Sequence, residues 1–475
     1  MIFIDLETFR KHKLNDIEAG NFETPLGEVT QVTELVLNHP HSQSKVFSSV
    51  ILDDICVKVG EAAWAHTSMK APPAEVRSKT QDEPKEESQR PWLFIATYMY
   101  PAGGHTKVME DYIKLAQGRP CVVVLTNIAN GDPVVHRDQL YVEEVKNLGA
   151  QADISVTGNL TEKLQWLQMK IVELNPAKTF LFNHYYDSVA VAASVVAPPG
   201  TAYFLHHADY KFSLGVQAEH LNHIDFHAAG LCLCRDKLKV PNQVYWPLSA
   251  TDMGIRAEDS FYKNGRLTTA TSGAYHKFTS PYPYKYIELI PHIIRTTDGF
   301  HVHIGELTAE VRAEIDQHLD RNGVPRERFI YVPVVKSVWQ AMSDYGVDVY
   351  MPSFPTGGNK ASIEAMGSGT PVLSHLGMGP FRFILGGDFA MYPEAVRWKH
   401  PDELFDGLRQ LNHVDVLKAH RLKARASYDA HYAEHFTRAL INDARLEHEG
   451  LHRIHIDTVD PVDVQDFIFN EHYNP

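Results

Sequence analysis

Residues 348–374 read DVYMPSFPTGGNKASIEAMGSGTPVLS and hold the most specific chemistry in the chain. The pattern is a strand, a glycine turn, a helix, then a second glycine turn into another strand. Gly357 and Gly358 let a ligand approach the backbone without meeting a Cβ. Asn359, Lys360, Ala361 and Ser362 then open a helix, whose first-turn N–H groups lack intrahelical acceptors and carry the positive end of the helix dipole. Such a start favours a bound anion, a diphosphate in particular. Glu364, one turn further in, could accept hydrogen bonds from a ribose diol. A capped helix with a surface glutamate is the plainer alternative.

Two further groups suit proton transfer. The turn AGGHTK, residues 102–107, places His105 between a strand pattern and a helix pattern. Imidazole titrates near neutrality, so His105 could take the proton of a substrate hydroxyl. Binding a phosphate, or simply starting the helix, are its alternatives. His206-His207-Ala208-Asp209 follows the apolar run 203–205. Polar groups at a strand's carboxyl end line ligand crevices in α/β sheets. There His207 could act as a base with Asp209 orienting it, although i, i+2 spacing in a loop fixes no geometry.

Metal ligation is the third possibility, because the chain has 27 histidines. His223-x3-His227, with His220 nearby, would share a helix face. No H-E-x-x-H and no paired C-x-x-C completes a zinc set, and Cys232-Leu233-Cys234 alternates as strand residues do. Histidines in solvent or in the core are expected, and no metal site.

These residues need a scaffold, and the hydrophobic pattern supplies one. Apolar runs at 92–97, 121–125, 154–156, 179–182 and 202–205 alternate with helical patterns. The alternation restarts with runs at 267–271, 300–304, 329–332, 347–351 and 371–374, followed by helical patterns at 402–411 and 414–445. Short β-rich runs between amphipathic helices imply parallel sheets covered on both faces. Two such units in succession imply a cleft between two sheets. Residues 66–91 are rich in Pro, Glu, Lys, Ser and Gln and read as a solvated linker. It sets off a small unit, 1–65, in which residues 46–59 (VFSSVILDDICVKV) could supply one or two strands.

The length of 475 residues is too great for one core. Apolar residues at 44% and charged residues at 22% are ordinary globular values. A net charge of −14 argues against a nucleic-acid partner, whose phosphates would be repelled. Four cysteines suggest a reducing compartment. Residues 189–205, the longest apolar stretch, are broken by Pro198-Pro199-Gly200, so no membrane span and no secretory signal is read, and a cytoplasmic location is expected.

The 348–374 string resembles the donor-binding signature of the GT-B glycosyltransferases, and EAMGSGTPV resembles the EAMxxGTPV of their large retaining family. That family has a glutamate eight residues before Glu364, where this chain has Thr356. The run RFIYVPVVKSVWQAMSDYGVDVYMPSFPTGGNKAS is similar to the O-GlcNAc transferases and the bacterial adhesin N-glucosyltransferases. The resemblance covers mainly residues 266–374. It implies an α/β fold of GT-B type, with two facing Rossmann-like doubly wound domains and a small N-terminal extension. The implied parts are an accessory unit (1–65), a linker (66–91), an acceptor-side lobe (92–255), a donor-side lobe (256–412) and closing helices with a tail (413–475).

The resemblance further implies transfer of a sugar from a nucleotide-sugar, a UDP-sugar by expectation, to a glycan, lipid or protein acceptor. Lys277 matches the position that contacts the donor diphosphate, and Lys336 a lysine near the base and ribose; Gly357, Gly358, Asn359, Lys360, Ala361, Ser362 and Glu364 complete the donor site. His105, His207 and Asp209 are the catalytic candidates on the first lobe. GT-B enzymes generally need no bound cation, so no cofactor or metal is expected. The expected partners are the donor and the acceptor, with peripheral membrane association and oligomeric state left open. Thr356 and the O-GlcNAc transferase likeness lean towards inversion of the anomeric centre, EAMGSGTPV towards retention. Two rivals stand beside this reading: a UDP-sugar 2-epimerase of the same fold, and a catalytically silent nucleotide-sugar-binding protein.

Overall fold

The computed structural model describes residues 5–39, 41–70, 86–99, 104–128, 142–155, 158–207, 209–263, 265–378, 391–443 and 459–473. The chain divides into two compact units. The first comprises Met1–Phe226, Gly230–Tyr245 and Ile456–Pro475, and the second His227–Ala229 and Trp246–His455.

The first unit is built on seven parallel strands: β1 (Trp92–Ala96), β2 (Cys121–Leu125), β3 (Gln151–Ile154), β4 (Lys178–Phe182), β5 (Ala202–His206), β6 (Asn222–Asp225) and β7 (Gln243–Tyr245). Their order is β3-β2-β1-β4-β5-β6-β7. β1 and β2 are buried throughout, which is why they read as unbroken apolar runs rather than as alternation. The order reverses direction between β1 and β4. Loops leaving the carboxyl ends of those two strands diverge to opposite faces of the sheet and leave a crevice there.

The second unit repeats the scheme. Its strands are β8 (Thr268–Ser272), β9 (Phe300–Ile304), β10 (Phe329–Val332), β11 (Val349–Tyr350), β12 (Leu373–His375) and β13 (Val396–Trp398). The order β10-β9-β8-β11 is continued by a parallel bridge from Tyr350 to Val372 and by the β12-β13 pair. Here the reversal lies between β8 and β11.

Residues 1–65 do not stand apart. Helices α1 (Leu6–Glu18), α2 (Glu23–Asn38) and α3 (Val50–Lys70) share one hydrophobic core with Leu93, Ile95 and Leu181 of the first sheet. The segment read as one or two strands is mostly α3. Its buried residues Leu52, Ile55, Cys56, Val59 and Ala63 are spaced by three and four, the period of one helix face. Gly60 makes the crossing possible, because a Cβ there would lie 2.0 Å from the Ala192 carbonyl oxygen. Residues 66–70 continue α3, and Glu87–Gln89 form a 3-10 turn. The rest of the expected linker, 71–85, lies outside the described residues. Of the expected closing segment, the helices Val414–His431 and Glu434–Asn442 belong to the second unit, whereas Val464–Tyr473 belongs to the first. Among the described residues, no helix is long and apolar enough to cross a membrane.

Candidate functional site

In the second unit, the two loops at the strand-order reversal are stitched together. β8 ends at Ser272, and Gly273 leads into the short helix His276–Thr279, which carries Lys277. β11 ends at Tyr350, and the following loop runs to the helix Asn359–Gly367. The Thr356 N–H donates to the Lys277 carbonyl at 3.3 Å. The Lys277 ammonium donates to the Gly357 carbonyl at 3.4 Å. A Cβ on Gly358 would come within 2.9 Å of that ammonium, so the glycine leaves the space Lys277 occupies. Burial lowers the Lys277 pKa, and a bound anion would offset that desolvation.

Gly358 is the N-cap of the Asn359–Gly367 helix and makes no side-chain cap. The helix start therefore presents backbone N–H groups beside an ammonium, the arrangement that binds phosphate groups. Deeper in the helix, Gly367 fits against Trp339, where a Cβ would fall 2.1 Å from the ring. That close approach explains one glycine of the EAMGSGTPV string by packing alone. Glu364 faces the same neighbour: its Oε2 accepts from the Trp339 N–H at 2.9 Å and from Ser337 Oγ at 3.5 Å, capping the helix Val338–Asp344. The glutamate is thus held firmly in place. Lys336 is exposed, in the turn after β10. The Lys360 ammonium donates to the Ser249 carbonyl, so its side chain tethers the helix start. Thr356 stands where the resembling family has a carboxylate.

In the first unit, imidazoles gather at the corresponding reversal. His105 sits in the first turn of the helix Gly104–Leu115, His184 follows β4, and His207 follows β5. The His105 ring lies 4.5 Å from that of His207 and 5.7 Å from that of His184, centroid to centroid. The His105 ring is buried, with the Phe182 backbone as its polar neighbour. Burial pushes His105 down to about 4, and burial with His105 nearby pushes His184 down to about 3, so both are neutral at pH 7. Beneath them Asp187 accepts from Thr97 Oγ1 and Thr126 Oγ1 at 2.5 Å and caps its helix at the Ala190 N–H. Those bonds join the ends of β1, β2 and β4 into a rigid floor.

Sequence reasoning named His105 and His207 but missed His184. The signal was present: Asn183-His184 follows an apolar strand, as His206-His207 does. Residues 101–103 of the first glycine turn, and Ala208, lie outside the described residues. His207 Nδ1 faces the Leu205 carbonyl at 3.4 Å. Asp209 does not take the expected place as the orienting carboxylate of His207: its Oδ2 lies against Gly230, within 2.5 Å of where a Cβ would stand and beside Asp225. The expected helix face of His220, His223 and His227 does not form, because His223 lies on β6 and His220 Nε2 pairs with Ser194 Oγ at 2.8 Å. Cys232 and Cys234 are not on a strand either: one ends the helix Ala228–Cys232 and the other lies in the π-helical turn Leu233–Leu238.

No protein-family model and no curated protein matches the sequence. Solved structures do match the fold. HepE from Anabaena, solved in complex with UDP and glucose, aligns with a TM-score of 0.54 at 12% identity, over 74% of this chain and 98% of its own. A glycosyltransferase from Rickettsia africae aligns with a TM-score of 0.55 at 10% identity, over 75% of this chain and 97% of its own. The lipopolysaccharide outer core galactosyltransferase WaaB aligns with a TM-score of 0.50 at 14% identity, over 74% and 98%. At such identities the likeness is one of fold: the chain is an α/β protein of the GT-B architecture, with two Rossmann-like units.

Proposed function

We propose that the protein is a glycosyltransferase that moves a sugar from a UDP-sugar to a glycan, lipid or protein acceptor, in the assembly of a polysaccharide or glycoconjugate. One observation carries this reading. Lys277 and the Gly357–Gly358 turn, 80 residues apart in sequence, meet at the strand-order reversal of the second unit beside an uncapped helix start. The complexes of HepE with UDP and with UDP-glucose support the choice of nucleotide.

In this reading the diphosphate lies on the Asn359–Gly367 helix start, with Lys277 as its counter-charge. Glu364 is already fixed by Trp339 and offers its remaining oxygen to the ribose; Lys336 lies towards the base. The acceptor oxygen attacks the anomeric carbon as the bond from that carbon to the diphosphate oxygen breaks. The negative charge developing on the departing diphosphate is met by preorganised donors. The acceptor proton passes to a neutral imidazole, His105 or His207. A base supplied by the protein, together with Thr356 at the carboxylate position, favours inversion. No metal takes part in this scheme.

Calorimetric titration with UDP, GDP, dTDP, ADP and their sugars tests the donor site. UDP and one or more UDP-sugars should bind, and Lys277→Ala should weaken them. Binding of none, or binding indifferent to Lys277, would remove the donor site. Proton NMR of the product anomer tests the base, since a retained linkage needs none.

A further inference from the structure

Four side chains of the first unit meet at a point that the transfer chemistry does not use. His206 ends β5, His223 and Asp225 lie two apart on β6, and Cys234 lies in the π-helical turn that follows. In the β5–β6 register His206 is paired with Asp225, and residues two apart on a strand share a face. Backbone geometry alone thus sets three of the four on one side of the sheet. All four are at most 1% exposed. One ligand atom from each lies within 4.8 Å of every other.

The individual distances are more telling. His206 Nδ1 is 3.1 Å from Asp225 Oδ1, 3.2 Å from His223 Nε2 and 3.6 Å from Cys234 Sγ. His223 Nε2 is 3.4 Å from the same Asp225 oxygen. Two imidazole N–H groups can converge on the one carboxylate oxygen, since that oxygen accepts two donors. That arrangement still presses the two nitrogens to 3.2 Å and leaves the Cys234 thiol against the same His206 nitrogen at 3.6 Å. A shared cation would account for both close approaches.

A central cation would account for these four close approaches together. Zinc bonds to nitrogen, oxygen and sulfur of ~2.0–2.3 Å give tetrahedron edges of about 3.3–3.6 Å; four of the six ligand separations are 3.1, 3.2, 3.4 and 3.6 Å, and the other two are at most 4.8 Å. A carboxylate and a thiolate together match the charge of a divalent ion, and the buried Asp209 carboxylate, beside Asp225 at Gly230, adds negative potential next to them. Two imidazoles, a carboxylate and a thiolate suit zinc rather than magnesium or calcium, which take oxygen ligands.

We propose that His206, His223, Asp225 and Cys234 form a closed, four-ligand zinc site that fixes the carboxyl end of β5. With four protein ligands the ion would be structural, with no open position for substrate. It would cross-link β5, β6 and the turn after Cys232, and so hold the neighbouring His207 in place. The inner nitrogens bind the metal, leaving the protons on His206 Nε2 and His223 Nδ1.

The test is elemental analysis of the full-length protein purified without chelator, followed by cobalt(II) exchange. The expected result is about one zinc per chain and, after exchange, the visible bands of tetrahedral cobalt with one thiolate-to-metal charge-transfer band. Cys234→Ala should lose that band and the metal. Cys232→Ala, whose sulfur instead meets Arg235 Nη2 at 3.6 Å, should keep both. Should Cys234→Ala not fold, the unaltered protein suffices: alkylation at Cys234, mapped by mass spectrometry, should be blocked by zinc and released by chelator. A folded protein that takes up neither zinc nor cobalt, a site dependent on Cys232, or alkylation at Cys234 indifferent to chelator would overturn the proposal.

Discussion

The two units are built on one plan and differ in what they place at its reversal point. Both run 3-2-1-4 through their first four strands, and in both the loops after the first and fourth strands hold polar groups. The second unit puts an ammonium and a bare helix start there. The first puts neutral, buried imidazoles there. A parallel sheet opens the crevice whatever the side chains are; charge decides its use. A positive ammonium suits an anion; a neutral imidazole can accept a proton, with its basicity lowered by burial. In the proposed reaction that divides the labour, with the donor held by the second unit and the acceptor activated by the first.

The contrast can be broken by experiment. The largest effect is expected from His105→Ala, which should cut turnover by roughly 10²–10⁴, the usual worth of a general base, while calorimetry shows UDP affinity unchanged. A matching loss of affinity would make His105 a donor contact and erase the distinction. Lys277→Ala should do the reverse. Losing a charge-assisted hydrogen bond of ~1.5–3 kcal/mol weakens UDP binding by about ten- to a hundredfold, and turnover falls with it. Unchanged binding and kinetics would take Lys277 out of the site.

Gly358→Ala sharpens the same point. Its new Cβ would meet the mobile end of Lys277 at 2.9 Å and push the ammonium off the turn without disturbing backbone packing. A loss of about 0.5–1.5 kcal/mol in UDP binding is expected; none at all would mean Lys277 does not act from its observed position.

Acid should affect both units alike, and this is the mildest test. Burial depresses His105 and His220 to about 4 in the first unit, and His303 and His375 to about 4 in the second. The unfolded chain binds these protons near pH 6.5 and the folded chain only near 4. Stability is therefore full above about 6.5 and falls as pH drops towards 4. Melting temperatures measured from pH 7.5 to 4.5 should decline steadily; a flat profile would mean these imidazoles are not buried neutral.

The sequence revealed strands where burial was uniform and hid them where polar residues were buried together. β1, β2 and β4 read directly because their residues are nearly all apolar. β6, Asn222–Asp225, reads as polar, yet three of its four residues are buried. His223 and Asp225 tolerate the interior because they answer one another and His206, and no one-dimensional pattern carries that pairing. The α3 segment misled for a different reason. Its β-branched residues resemble a strand locally, while its period of three and four fits a helix packed on the sheet, and packing outweighed propensity.

Composition, periodicity and the glycine-bearing string 348–374 sufficed for the α/β class, the two successive units and the helix start beside Gly358, because each depends on neighbours in the chain. That Lys277 reaches Gly357, that His184 joins His105 and His207, and that four ligand atoms converge around His206 was settled by tertiary structure alone. Those meetings are set by strand order and register, which bring together residues tens of positions apart and which local sequence does not encode.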